Sequence, residues 1–326
     1  MNIEILNKIT KKFVISVLTL MYTFVAFAQA TFAWITLNND TQLDDTELYV
    51  VADNNFYLSL DGKNFYNNIS NAELQKVLKS NALSDVTTID GINFFELDDQ
   101  EGRNIMVPVD DSKYITFDLW FRTDDPTVQK LYLVDNVGWK YNYQTALDSD
   151  IDGTYVISKG VQWKSDVFFA YGENNINKGS TGTYYASDSI RIGVVESNLD
   201  EEFGVENKED LKSLIFDPSG NPALGYGVGT GAYDYAMKKG KTYGLPTEFP
   251  NTQYTLSTFK NPYEANTENS LCATFQQVET EDGSYLAYTK VKVSVWLEGW
   301  DADCFNAVIL DSLLIQLKFK GSGLPF

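Results

Sequence analysis

Tyr114-Ile115-Thr116-Phe117-Asp118-Leu119-Trp120-Phe121-Arg122 places Ile115, Phe117, Leu119 and Phe121 at strictly alternating positions. A period of two puts those four side chains on one side of an extended chain, so the stretch reads as a β-strand with one face in a core. The same alternation returns at Ser189–Val195 through Ile190, Ile192 and Val194, and at Lys290–Leu297 through Val291, Val293, Val295 and Leu297. It returns again at Leu313–Phe319, where Gln316 and Lys318 point away from Leu313, Ile315, Leu317 and Phe319. Shorter runs at Leu48–Val51, Phe56–Leu60, Ile92–Leu97, Lys130–Val134, Thr154–Ser158 and Val161–Ala170 add further strands. So many strands with so few helices predict an all-β fold, a jelly roll or other β-sandwich.

Two short peripheral helices are expected. Ser70 and Glu73 form a capping box ahead of Leu74, Val77 and Leu78, and Leu211, Leu214 and Ile215 share a helical face over Lys208–Ile215. From Asp217 to Tyr263 the chain is rich in Gly, Pro and Tyr without sustained alternation, and reads as a long loop insertion. No internal repeat or linker divides the rest, although the length accommodates one large domain or two smaller ones.

The N-terminus carries a different pattern. Lys8, Lys11 and Lys12 precede an apolar to weakly polar run from Phe13 to Ala28, followed by small residues at Ala26, Ala28, Ala30 and Ala33. A positive flank, an apolar centre and a small-residue exit make a secretory signal. Cleavage after Ala30 and after Ala33 both fit, and the run also approaches the length of a retained membrane anchor. Residues 1–33 are therefore read as signal and 34–326 as the exported domain, secreted or held at the cell surface, touching the membrane only through the N-terminal segment.

Composition narrows the chemistry. The formal net charge of −20 disfavours nucleic acid, whose phosphates such a surface repels. The 20 Tyr, 20 Phe and 6 Trp supply enough apolar surface for a folded core. Histidine is absent, which removes Ser-His-Asp and Cys-His nucleophiles and His-based zinc sites. Carboxylate-only chemistry such as glycoside hydrolysis stays open, but no pair among 45 acidic residues is singled out, and the chain is read as a non-enzyme. Cys272 and Cys304 are the only cysteines, and in an oxidising compartment they form either one disulfide or two separate buried thiols.

Two further candidates follow from local pattern. Asp148, Asp150 and Asp152, with Gly153 after them, match the first half of a calcium loop, but the twelfth position is Lys159 where a bidentate Glu is wanted; an Asp-Gly turn explains the same residues without an ion. Tyr226, Tyr233, Tyr235 and Tyr243 in the Gly-rich insertion would stack on sugar rings or on a neighbouring subunit, or pack on their own sheet.

Thr31-Phe32-Ala33-Trp34, at the end of the apolar run, resembles the processing region of Gram-positive exported proteins handled by a SipW-type signal peptidase, a group that includes TasA-like biofilm-matrix fibre subunits and camelysins. Val293-Ser294-Val295-Trp296-Leu297-Glu298-Gly299-Trp300-Asp301-Ala302-Asp303-Cys304 is similar to a C-terminal block of Firmicute proteins exported in this way, as are Ile115–Phe121 and Ser187–Arg191. The resemblance implies a jelly-roll sandwich and an extracellular-matrix or surface role, with the signal peptidase, other matrix proteins or further copies of the chain as partners. It also implies that a subunit of a homopolymer would donate an N-terminal strand, here Trp34–Val51, to the next. The competing expectation is a monomeric surface module that binds glycan or protein.

Overall fold

The computed structural model describes residues 16–17, 42–43, 45–53, 56–79, 83–100, 103–165, 168–171, 174–199, 203–221, 231, 233–235, 248–280 and 283–323. The chain divides into two units, Met1–Asp40 and Thr41–Phe326. In the first, only the helical residues 16 and 17 of the apolar run are described, and the rest of the run and the cleavage candidates Ala30 and Ala33 lie outside the described residues. No helix among the described residues is long and apolar enough to cross a membrane.

The second unit is an all-β sandwich of an 11-stranded and a 6-stranded sheet. The larger sheet is organised by the long strand Tyr285–Glu298. On one side lies antiparallel Ile190–Ser197, and on the other antiparallel Ile115–Thr123, in a register that sets Val194, Val293 and Phe117 in one row. Those three are buried, so the alternation read from sequence aligns across neighbouring strands. The smaller sheet is centred on the C-terminal strand Ser312–Gly323, which runs antiparallel to Val128–Leu133 and Tyr155–Ser158. Its other neighbour, Asp45–Ala52, runs parallel to it through eight paired residues, Leu48 opposite Ile315 and Val50 opposite Leu317. The inner faces of the two sheets meet in one core, where the Phe121 and Phe319 rings contact edge to face at 5.0 Å.

This pairing revises the donor-strand expectation. Residues 45–51 of the Trp34–Val51 segment are already paired within the chain's own smaller sheet. Gln42–Leu43 pairs with Leu83–Ser84. Residues 34–41 lie outside the described residues.

Three other expectations change. Lys208–Ile215 is not a helix: Ser213–Phe216 is a strand paired to Ile192–Val195. Leu214 and Phe216 enter the main core while Ile215 packs with Trp296 on the opposite face, and a strand buried on both sides imitates helical spacing. The strand expected over Val161–Ala170 breaks into Val161–Lys164 and Phe169–Tyr171, each paired in its own two-stranded ladder. Within the 217–263 insertion, Thr252–Gln253 adds a parallel edge to the larger sheet and Phe259–Asn261 pairs with Glu264–Ala265. The capping box at Ser70 holds, with Glu73 Oε2 accepting from Ser70 N at 2.8 Å, but it opens a helix of one turn, Asn71–Leu74.

One turn motif occurs twice in the sequence, at Ser59–Phe65 and Thr88–Phe94. Ser59-Leu60-Asp61-Gly62-Lys63-Asn64-Phe65 and Thr88-Ile89-Asp90-Gly91-Ile92-Asn93-Phe94 build the same turn. In each, one aspartate oxygen accepts the amides two and three residues on, and the other accepts the asparagine Nδ2 at 2.7 Å. The glycines sit at φ +70° and +76°, a conformation that costs a residue with Cβ.

Candidate functional site

The block Val293–Cys304 leads into the most polar part of the interior. Arg191, on Ile190–Ser197 opposite Trp296, faces away from the sandwich core yet is only 2% exposed. Its Nη2 lies 2.9 Å from Asp217 Oδ2 and is hydrogen-bonded to Asp301 Oδ2, while Nη1 donates to Ile190 O at 2.9 Å. Glu298 accepts from Trp296 Nε1 at 2.9 Å and from Trp300 N at 3.1 Å. Burial alone would lower the Arg191 pKa, but Asp217, Asp301 and Glu298 outweigh it and hold the guanidinium charged. Burial raises Asp301 well above the carboxylate range against the opposing pull of Arg191, and pushes Glu298 up to about 7.

These buried groups fix three surface segments. Asp217 Oδ1 accepts from Ser219 N and Oγ at 2.9 and 2.6 Å, locking the turn after Ser213–Phe216. Asp311 takes Gly160 N on one oxygen and Ala186 N on the other, both at 2.8 Å, tying the end of Tyr155–Ser158 to the turn Ala186–Ser189. Between the segments opens a cleft of about 340 Å³. Val156, Ile157 and Ser158 line it from the strand, Trp139, Tyr141 and Asn142 from the turn Gly138–Lys140 and the helix start that follows, and Tyr185, Ser187, Asp188, Pro218 and Ser219 complete it. Trp139 is 79% exposed and Tyr185 43%. Ser158 Oγ donates to Ser187 Oγ at 3.1 Å.

Asp188 is the chemically unusual member. Among the described residues no hydrogen bond reaches its carboxylate, and its pKa is pushed up to about 7, first by burial and then by Asp303, Asp217 and Asp311. Asp188 and Glu298 thus both titrate in the fold above an unfolded carboxyl, which sits near about 4. The folded state binds more protons between about pH 4 and 7, so this contribution to stability is full at the acid end and lost as pH rises through 7. Urea unfolding should give lower stability at pH 8 than at pH 5. Asp188→Asn should recover on the order of 2 kcal/mol at pH 8 and little at pH 4, whereas equal effects at both pH values would refute the assignment.

The residues singled out from sequence are dispersed. Asp148 Oδ2 accepts from Gln144 Nε2 at 3.2 Å, and Asp152 pairs with Lys318 at 2.8 Å, where Asp135 also approaches at 3.0 Å. The Lys318 ammonium stands between those two carboxylates, and Gln316 Nε2 binds the carbonyls of Ile151 and Gly153. Asp150 and Asp152 line a separate cavity of about 400 Å³ beside Glu47, Tyr49 and Tyr155. Among the described residues no three metal-binding side chains converge. Cys272 and Cys304 are buried, unjoined thiols in this structure, and burial raises the Cys272 pKa far above its usual value. Tyr235 is no surface platform: it is 1% exposed and donates to Asp85 Oδ2 at 2.8 Å against the Trp300 ring. Tyr233 is 41% exposed, and Tyr226 and Tyr243 lie outside the described residues.

Sequence reasoning missed Trp139 and Tyr185, and it marked Asp188 and Arg191 only through the likeness of Ser187–Arg191, with no role for either. Arg191 left one signal, a charge at the outward position of an otherwise apolar alternating strand, with an acidic block elsewhere in the chain to answer it. No family model, curated protein or solved structure matches this chain, so its assignment rests on its own residues and geometry.

Proposed function

We propose that this chain is an exported surface or matrix protein that acts by contact, through assembly or binding, rather than by catalysis. The leader-like N-terminus and the likeness to matrix subunits support export. The observation that carries the contact reading is an open sheet edge: Arg103–Pro108 pairs only with Phe94–Gln100 among the described strands, and Met106 on it is 37% exposed. An edge of this kind accepts a strand through main-chain hydrogen bonds. Because residues 45–52 are paired inside their own sandwich, the donor reduces to residues 34–41 of a second copy. The buried carboxylates fit the non-catalytic part of the reading, since Asp217, Asp301 and Asp311 bind Arg191 or backbone amides.

Electron microscopy of protein released by its native host, with the mature N-terminus sequenced, tests this. Regular fibres beginning just after Ala30 or Ala33 are expected, and deletion of residues 34–41 or Met106→Lys should abolish them without lowering the melting temperature. Protein that stays monomeric at high concentration, with the deletion silent on cells, would overturn assembly. The binding alternative is favoured by the cleft beside Asp188.

A further inference from the structure

We propose that the cleft between Trp139 and Tyr185 binds a neutral saccharide. At about 340 Å³ it lies at the small end of ligand pockets, roughly 300–1,000 Å³, which suits one or two sugar rings rather than a folded partner. Its composition matches the two sides of such a ring. A pyranose presents an apolar C–H face and a rim of hydroxyls, and an exposed indole beside a phenol offers flat apolar surface to the first. Ser187 Oγ and the Asp188 carboxylate offer a donor and acceptors to the second, and Ser158 and Ser219, whose protons go to Ser187 and Asp217, offer oxygen lone pairs.

Three observations separate this cleft from an ordinary surface dip. Trp139 at 79% exposure is too large an aromatic to be left out by poor packing alone, because its turn is anchored by Val137 N on Thr154 O at 2.8 Å. The polar groups are held in place beforehand: Ser219 through Asp217 and Arg191, and the turn bearing Tyr185 and Ser187 through Asp311, so little conformational entropy is lost on binding. Asp188 is set in the wall with no hydrogen bond to its carboxylate among the described residues, leaving it an acceptor for a ligand hydroxyl.

Charge selects the class of saccharide. Asp217, Asp303 and Asp311 stand behind Asp188, and the chain as a whole carries −20, so uronates, sulfated sugars and sugar phosphates are repelled.

The test is titration calorimetry on the purified full chain with β-1,4-linked glucose, β-1,4-linked N-acetylglucosamine and α-linked mannose tetrasaccharides, and with tetragalacturonate as the acidic counterpart. At least one neutral tetrasaccharide should bind and the acidic one should not. Trp139→Ala should weaken binding by about tenfold or more, the equivalent of losing one aromatic stacking contact, and Tyr185→Ala by several-fold. Tyr285→Ala, 59% exposed on a strand that does not line the cleft, should change nothing. Trp139 is 79% and Tyr185 43% exposed, and melting temperatures of both variants close to wild type will confirm that they fold. Silence from all neutral probes, binding that survives both cleft substitutions, or equal binding of the acidic oligomer would each overturn the proposal.

Discussion

Arg191→Met should destabilise the protein by about 3–5 kcal/mol, the range seen when one partner of a buried ion pair is removed. The methionine fills most of the space, so the loss is electrostatic: Asp217 and Asp301, exposed by 0% and 1%, are left without the guanidinium that offsets their burial. The damage should be pH-dependent. Asp301 already titrates high, and without Arg191 it will hold its proton to still higher pH, so the variant should be closest to wild type near pH 5 and weakest near pH 8. Adding Asp217→Asn and Asp301→Asn to Arg191→Met should return most of the stability, because a neutral, hydrogen-bonded set replaces the orphaned charges. Chemical denaturation of the three proteins at both pH values decides the matter. A loss independent of pH, or no recovery in the triple variant, would mean that packing rather than charge governs the site. Since Asp217 also fixes Ser219, the single variant should loosen one wall of the cleft as well.

Phe319→Ala should cost about 3–5 kcal/mol for a different reason. Phe319 is fully buried at the centre of the smaller sheet, opposite Ala52 in one neighbouring strand and Leu133 in the other. Its ring meets Phe121 of the larger sheet, so truncation opens a void between the sheets that two rigid ladders cannot close. The informative comparison is Trp139→Ala, a change of similar size at a 79% exposed position, which should alter stability by less than about 0.5 kcal/mol. Equal losses from the two substitutions in thermal denaturation would contradict the division between core and cleft.

Position 319 also bears on assembly. Strands 45–52 and 312–319 run parallel and side by side although some 260 positions separate them, and a parallel pair needs a long crossover, here nearly the whole sandwich. The smaller sheet therefore joins two segments that lie far apart in one chain. An exchange of that strand between copies would first require breaking eight paired residues and uncovering Leu48 and Val50. A donor formed only by residues 34–41 avoids that cost.

The sequence alone determined the fold class. Alternation at Ile115–Phe121, Ile190–Val194, Val291–Leu297 and Leu313–Phe319 reappears as the inward faces of four principal strands, because period two is a property of the extended backbone and needs no tertiary knowledge. It could not distinguish a strand buried on both faces from a helix, which is why Lys208–Ile215 reads as helical although Ser213–Phe216 is a strand. The sites were another matter. Asp148, Asp150 and Asp152 are close in sequence yet do not converge, since Lys318 from the C-terminal strand reaches Asp152 first. Trp139, Tyr185, Asp188 and Ser219 are spread along the chain and line one cleft, held by Arg191, Asp217 and Asp311. Local pattern fixes which way a side chain points along its own strand. Which distant charges and rings it meets depends on strand order and on the packing of the two sheets, and only the tertiary structure decided those.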